Sequence, residues 1–332
     1  MRTSTIAIAG FAALALGLSA CGSSDDSAAG SESPSAGAAT MVATTTVWGS
    51  VAGQIAECAG GSVTTLMPVG ADPHDFTPSS DQVATMVDAD LVIANGLGLE
   101  EGLESAMESA QQDGAVVFEV APLLDPMPFE AEGEVHAEGE EHAEGEEHAE
   151  GEEAHSHGED PHVWLDVTRA ADAAELIGAE MAKVTGDAAY ETCGTEVGQE
   201  LRSTNDAVVE TLAAVPTDKR ILVTDHDAFG YFAEAYDFRI EGVVIPGGST
   251  LAEPSSAELA SLAQAIQDSG VKTIFANTAN PSALVDALAA EVGDVQVVEL
   301  YVGSVGEPGS EAATYQGMMT TNATRISDAL SG

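Results

Sequence analysis

Short β-branched runs alternate with longer alanine-rich stretches along most of this chain, and that rhythm restricts its fold more than any other feature. Met41 to Val47, Ser62 to Met67, Leu91 to Ala94 and Val116 to Val120 read as four strands with helical segments between them. An acidic interruption follows; then Val167 to Val184 takes the apolar spacing of an amphipathic helix, and Glu196 to Ala214 that of a second, long one. The strand rhythm restarts with Arg220 to Thr224, Arg239 to Ile245, Thr273 to Ala276 and Val295 to Leu300. Strands separated by helices pair in parallel, because a crossover long enough to hold a helix returns the chain in the same direction. The expected architecture is α/β: two lobes of alternating strands and helices around four-stranded, mostly parallel sheets, joined by a long helix. The N-terminal lobe is expected over 41–185, the linking helix over 186–216 and the C-terminal lobe over 217–332. A cleft between two such lobes would hold the ligand, beyond the carboxyl ends of the strands.

Residues 1–20 read as a secretory signal, with one basic residue, Arg2, an apolar stretch from Ile6 to Leu18 and small residues ahead of Cys21. Leu18-Ser19-Ala20-Cys21 resembles the bacterial lipoprotein lipobox, which implies cleavage before Cys21 and a lipid on its thiol; a plain signal peptide or short anchor helix is the alternative. Residues 21–40, rich in Gly, Ser, Ala and Asp, form a flexible tether. Such a chain is exported and lipid-anchored to the outer face of the bacterial cytoplasmic membrane, or periplasmic. Export permits Cys58 and Cys193 to form a disulfide, with two separate buried thiols as the alternative. If they pair, metal binding falls to imidazole and carboxylate. The 56 acidic residues against nine Lys and Arg give a net charge of -47, which repels phosphate backbones and excludes nucleic acid as a partner while favouring cations.

From Glu130 to Asp160 the chain runs through Glu, Gly and His with a near-perfect six-residue period. His136, His142 and His148 carry the repeat, and His155 and His157 close it. Imidazoles on an acidic, glycine-punctuated tract suit weak, fast, multi-site capture of a transition metal, and a solvated spacer is the bland alternative.

Three further histidines sit where ordered loops are expected. Asp72-Pro73-His74-Asp75-Phe76 follows the second strand, and proline fixes the backbone ahead of the imidazole. Asp160-Pro161-His162-Val163-Trp164-Leu165-Asp166 repeats the Asp-Pro-His unit directly after the tract. Thr224-Asp225-His226-Asp227-Ala228-Phe229-Gly230 ends the first strand of the second block. Any one of these alone reads as an ordinary hydrogen-bonded loop histidine; two copies of a motif and a third histidine at the matching place in the other lobe read as a metal site.

These motifs, together with Asp81, the Asn95-Gly96-Leu97-Gly98-Leu99-Glu100 run and Glu253-Pro254-Ser255, resemble the metal-binding solute-binding proteins of ABC importers, the TroA-like, ZnuA-type group serving zinc and manganese. The resemblance runs in order from Met41 to Leu330. It implies two lobes joined by a rigid helix, one buried metal at their interface, an ABC importer permease as partner, and a monomer. His74 and His162 match the family's first-lobe ligands and His226 the first ligand of the second lobe. Zinc binders of the group commonly carry a His- and acid-rich loop just before the second ligand, where the tract stands here.

The family usually supplies a fourth ligand, an aspartate, in the segment that here reads Leu300-Tyr301-Val302-Gly303-Ser304-Val305-Gly306. Gly303 occupies its place and has no side chain to offer. A divalent ion on three neutral imidazoles is left uncompensated, so water, Glu299 or Glu307 is expected to complete the site. Asp75, Asp225 and Asp227 neighbour the histidines and either orient imidazoles or stand as solvated loop charges. Pro246-Gly247-Gly248-Ser249-Thr250 lacks the Gly-Lys-Ser/Thr ending of a phosphate loop and reads as a turn.

Imidazole-rich sites suit zinc and carboxylate-rich ones manganese, so the ligand set favours Zn(II) over Mn(II) as the transported ion. Three histidines with an open position also describe catalytic zinc, which makes a zinc-dependent hydrolase the rival reading. No His-Glu-x-x-His unit supports that rival. A surface zinc buffer or chaperone acting through the tract is a third. The expected function is an extracytoplasmic receptor that captures Zn(II) and delivers it to a permease, with no covalent chemistry.

Overall fold

The computed structural model describes residues 38–129, 158–279 and 283–331. All eight expected strands form, in two four-stranded sheets whose strands pair in parallel throughout. The first sheet holds β1 (Thr40–Ala43), β2 (Ser62–Thr65), β3 (Leu91–Ala94) and β4 (Val117–Glu119) in the order β2-β1-β3-β4. The second holds β5 (Ile221–His226), β6 (Arg239–Ile245), β7 (Thr273–Asn277) and β8 (Gln296–Leu300) in the order β6-β5-β7-β8. In each sheet the first strand in sequence lies inside, flanked by the second on one side and the third on the other. Every side chain of β3 and of β7 is buried, as expected of strands covered on both faces.

β1 is shorter than its β-branched run suggested. It stops at Ala43, and Thr45 caps helix α1 (Thr46–Ala59), its hydroxyl accepting the Trp48 N–H at 3.3 Å. A threonine that can satisfy an orphan helix N–H outweighs strand propensity at Thr46 and Val47. Helices α2 (Ser80–Asp88) and α3 (Glu104–Gln112) complete the crossovers of the first sheet.

Between the sheets run α4 (Val167–Thr185) and α5 (Ala189–Leu212). α5 begins at Ala189 rather than Glu196, because Gly186 ends α4 in a left-handed cap (φ 75°) and the chain restarts at once. The two helices cross closely at glycines: a methyl group on Gly178 would lie 2.8 Å from Gly194 Cα, and one on Gly194 would lie 2.7 Å from Ala174 O. Arg202 of α5 closes the crossing by donating to Asp172 at 2.6 Å and Glu175 at 2.7 Å on α4. Helices α6 (Gly230–Tyr236), α7 (Ser256–Ser269), α8 (Ala283–Val292) and α9 (Tyr315–Leu330) follow in the second half.

One apolar cluster gathers residues of both halves, including Trp48, Trp164, Phe232 and Tyr315, each 2% exposed or less. Polar contacts tie the same seam: Trp164 Nε1 donates to Val302 O at 2.9 Å, Tyr315 OH to Trp164 O at 2.6 Å, and Val305 N to Thr46 Oγ1 at 3.0 Å. Cys58 of α1 and Cys193 of α5 are disulfide-bonded, with Cα atoms 5.8 Å apart. Among the described residues no helix is long and apolar enough to cross a membrane. Cys21 and the five tract histidines lie outside the described residues.

Candidate metal centre

The two Asp-Pro-His units build the same local device. In each, the aspartate accepts the backbone N–H of the histidine two residues on: Asp72 Oδ1 from His74 at 3.1 Å, Asp160 Oδ1 from His162 at 2.9 Å. An aspartate that folds back on its own loop fixes where the following imidazole emerges. The third histidine needs no such turn. His226 is the last residue of β5, paired with Ile245 of β6, and it arrives at the carboxyl end of an inner strand.

The three rings meet. Centroids are 5.5 Å apart for His74 and His162, 6.0 Å for His74 and His226, and 5.3 Å for His162 and His226. One nitrogen from each lies within 4.8 Å of one from the other two. All three residues are buried, at 3%, 1% and 1% exposure. His162 Nδ1 lies 2.8 Å from Asp160 Oδ1, and its Nε2 is buried with no partner. His226 Nδ1 lies 3.1 Å from Asp225 Oδ1 without the alignment of a hydrogen bond, and both atoms are buried and unpartnered. His74 Nδ1 is likewise buried and unpartnered. Buried polar atoms are rarely left so, and three of them converging is the signature of a ligand that satisfies them.

Charge follows the same logic. Burial, then the charges His162 and His226 would carry, push His74 down to about 3 against a weaker pull from Asp72. Burial and His226 hold His162 well below its ordinary value. Burial also pushes His226 down, but Asp225, Asp72 and Asp227 outweigh it, and the net shift is upward. Burial raises Asp160 to about 7, opposed by the His162 N–H bond and by His226. Burial and mutual repulsion thus favour unprotonated rings at His74 and His162, the state in which imidazole binds a metal.

Behind His162 stands a network that explains the Asn95 to Glu100 run. Asn95 Nδ2 donates to Pro161 O at 2.9 Å, and its Oδ1 accepts Trp48 Nε1 at 2.9 Å. Glu100, buried, accepts from Asn95 N at 2.7 Å, Gly96 N at 3.1 Å and Thr44 Oγ1 at 2.7 Å, and burial raises its pKa. Gly96, Leu97 and Gly98 all take left-handed φ, so the loop turns tightly enough for one carboxylate to gather these donors. On the other side, Tyr231 OH donates to Asp160 O at 2.7 Å. Phe129 N donates to Gly158 O at 3.2 Å and Asp160 N to Met127 O at 2.7 Å, so the two ends of the tract leave and return beside the site.

The fourth-ligand candidates fare differently. Glu299 and Glu307 are exposed and stand outside the histidine cluster. Sequence proximity to Gly303 misled here, because Glu299 lies on edge strand β8 and points away from the core. Gly303 is buried, and a Cβ there would sit 2.7 Å from Pro73 Cδ. The proline ring of the first Asp-Pro-His unit fills the space an aspartate would need. Replacing Gly303 with Asp is therefore expected to cost about 1–3 kcal/mol by overpacking and to leave zinc affinity no tighter, as read by thermal unfolding of the metal-free protein and by chelator competition. Asp75 is exposed, Asp227 half-buried, and Asp225 faces the His226 ring. Sequence reasoning missed Asp160 and Asp72, although the repeat of aspartate two residues before histidine was the signal for both.

Against known proteins, the chain matches the family described as zinc-uptake complex component A, periplasmic, over residues 41–329. The chain belongs to that family. Its members are metal-binding solute receptors of ABC uptake systems, working outside the cytoplasm, and not enzymes, so the hydrolase reading gives way. It is 34% identical over 273 residues to the high-affinity zinc uptake system protein ZnuA of Bacillus subtilis, covering 81% of each chain. It is 27% identical over 263 residues to the manganese-binding lipoprotein MntA of Halalkalibacterium halodurans, covering 79% of this chain and 78% of that one. The fold superposes on the periplasmic zinc-binding protein TroA of Treponema pallidum with a TM-score of 0.71 and 28% identity, covering 89% of this chain and 99% of that one. Zinc and manganese both occur in these names, so for this family member the choice of metal has to come from the ligands.

Proposed function

We propose that this receptor captures Zn(II) through His74, His162 and His226 and hands it to the permease of an ABC importer, held near the membrane by a lipid on Cys21. The observation that carries the choice of metal is the donor set: three buried imidazoles converge, and no carboxylate joins them within ligand spacing among the described residues. Nitrogen donors in a compact cluster suit tetrahedral zinc, whereas manganese favours oxygen donors and higher coordination. Mn(II) binds such a site less tightly. Two carboxylates support the rings as zinc sites require: Asp160 holds His162 through Nδ1, and Asp225 faces Nδ1 of His226. The tract histidines His136, His142, His148, His155 and His157 serve as an accessory that collects ions beside the site.

Growth of a strain lacking this chain tests the reading. It should fail under zinc limitation and recover with added zinc, while manganese limitation leaves it no worse than its parent. The purified mature chain should bind zinc one to one at the buried site in the presence of excess manganese. A strain that fails under manganese limitation alone would overturn the choice of metal.

A further inference from the structure

Among the three rings, His74 alone has no carboxylate within ion-pair distance among the described residues. A divalent ion on three unprotonated imidazoles keeps its full charge, and a low-dielectric cleft makes that expensive unless an anion stands close. Gly303 offers none, the Pro73 ring blocks one from being added there, and Glu299 and Glu307 are exposed elsewhere. Asp160 is committed to the ring of His162, and Asp225 faces the ring of His226. Neither was placed to serve His74.

Asp72 differs from both. It stands two residues before His74, in the loop that carries that ring. Its two oxygens are held from opposite halves of the molecule. Oδ1 accepts the backbone N–H of His74 in the loop after β2. Oδ2 accepts the hydroxyl of Thr250, in the segment after β6, at 2.6 Å. Thr250 is 9% exposed and is delivered by the Gly247-Gly248 turn, whose residues both take positive φ. The turn that the sequence left without a role therefore ends on a hydroxyl aimed at the loop of a metal-site histidine.

We propose that Asp72 supplies the negative charge that Gly303 does not, and that Thr250 clasps it across the two halves so that this charge stays at the metal. The proposal rests on the three-histidine site argued above. Asp72 acts as a positioning and charge-balancing residue from outside the ligand set, since its oxygens are not among the atoms clustered within ligand spacing. It also gives the permease a handle for release: separating the Thr250 segment from the first sheet would loosen Asp72 and, through the shared loop, His74.

The test uses the full mature chain, oxidised, and zinc titrated against a chromophoric chelator. Asp72→Asn keeps the shape, an oxygen for the His74 N–H and a donor towards Thr250, and removes only charge. It is expected to lower zinc affinity about 10–100-fold, the usual range for an outer partner of a metal site, while the melting temperature of the metal-free protein stays put. Asp72→Glu should recover part of the loss, and the cobalt-substituted D72N protein should show a shifted visible spectrum. Thr250→Val should weaken zinc by a smaller factor, and Asp72→Asn combined with Thr250→Val should lose little beyond D72N alone, because the two residues act as a unit. Unchanged affinity in D72N overturns the proposal. A loss that tracks metal-free stability and is not recovered by D72E reduces Asp72 to a structural loop residue and overturns it equally. If His226→Ala binds zinc as the parent does, the three-histidine site itself has failed, a different outcome that the same titration separates.

Discussion

His226→Ala is expected to weaken zinc binding by more than about a hundredfold, beyond the 10–100-fold that losing an outer partner costs, whereas replacing His142 alone should hardly register. His226 is anchored at the end of a strand paired on both sides, Thr224 with Phe275 and His226 with Ile245, so its ring has little freedom to be anywhere else. Its loss removes one of three preorganised donors, and no neighbouring histidine among the described residues stands in reserve. The tract offers several equivalent imidazoles with a glycine in every repeat, so one fewer changes a population rather than a geometry. Truncating a ring that is 1% exposed also leaves a cavity that lowers the stability of the metal-free variant, so the affinities are compared at a temperature where both proteins are folded. The contrast appears in thermal unfolding with metal: zinc at a thousandfold over Kd stabilises the parent by about 4 kcal/mol through mass action, and the variant should lose most of that gain. Equal losses for His226→Ala and His142→Ala would move the principal site into the tract.

Much of this site could be read before any coordinates. Leu91 to Ala94 is an unbroken apolar run because β3 is covered on both faces, and the three histidines declared themselves by following strands or repeating Asp-Pro-His. The failures are as physical as the successes. Thr44 to Val47 carries β-branched residues, yet the hydroxyl of Thr45 caps a helix there, and a cap depends on which N–H lies free rather than on propensity. Glu299 and Glu307 are close to Gly303 in sequence, but one lies on an edge strand and both point to solvent, and nothing in spacing alone gives a side chain its direction. Asp72 and Thr250 are separated by 178 positions, so their bond belongs to the packing of one half on the other and leaves no local trace. Gly303 was legible as a missing ligand and illegible as a fit to the Pro73 ring.

Removing the disulfide is expected to cost the fold more than any change at the metal. The bond closes a loop with a sequence separation of 135, for which the chain-entropy relation gives about 5 kcal/mol as an upper figure, and native disulfides of this kind contribute about 2–5 kcal/mol. Cys193 is buried at 4% exposure on the face of α5 that packs against α4 and α1, so the bond pins the start of the first half to the long helix at an ordered position. Cys58, by contrast, is exposed, with Glu196 Oε2 3.7 Å from its sulfur, and that carboxylate would oppose the thiolate needed to reform the bond once reduced. The site should not feel the change directly. Cys58 lies about 18 Å along α1 from Thr46, at 1.5 Å per residue, and it is the Thr46 end that meets Ser304 and Val305 near the cleft. Denaturation of the metal-free protein should therefore shift by about 2–5 kcal/mol in the Cys58→Ser, Cys193→Ser double variant, and the parent treated with reductant should shift as far. Zinc affinity at 25 °C should stay within a few-fold of the parent. A parent whose stability is the same with and without reductant would mean that the cysteines are not paired in solution, and the hold of α1 on α5 would then rest on packing around Trp48 and Ile55 alone.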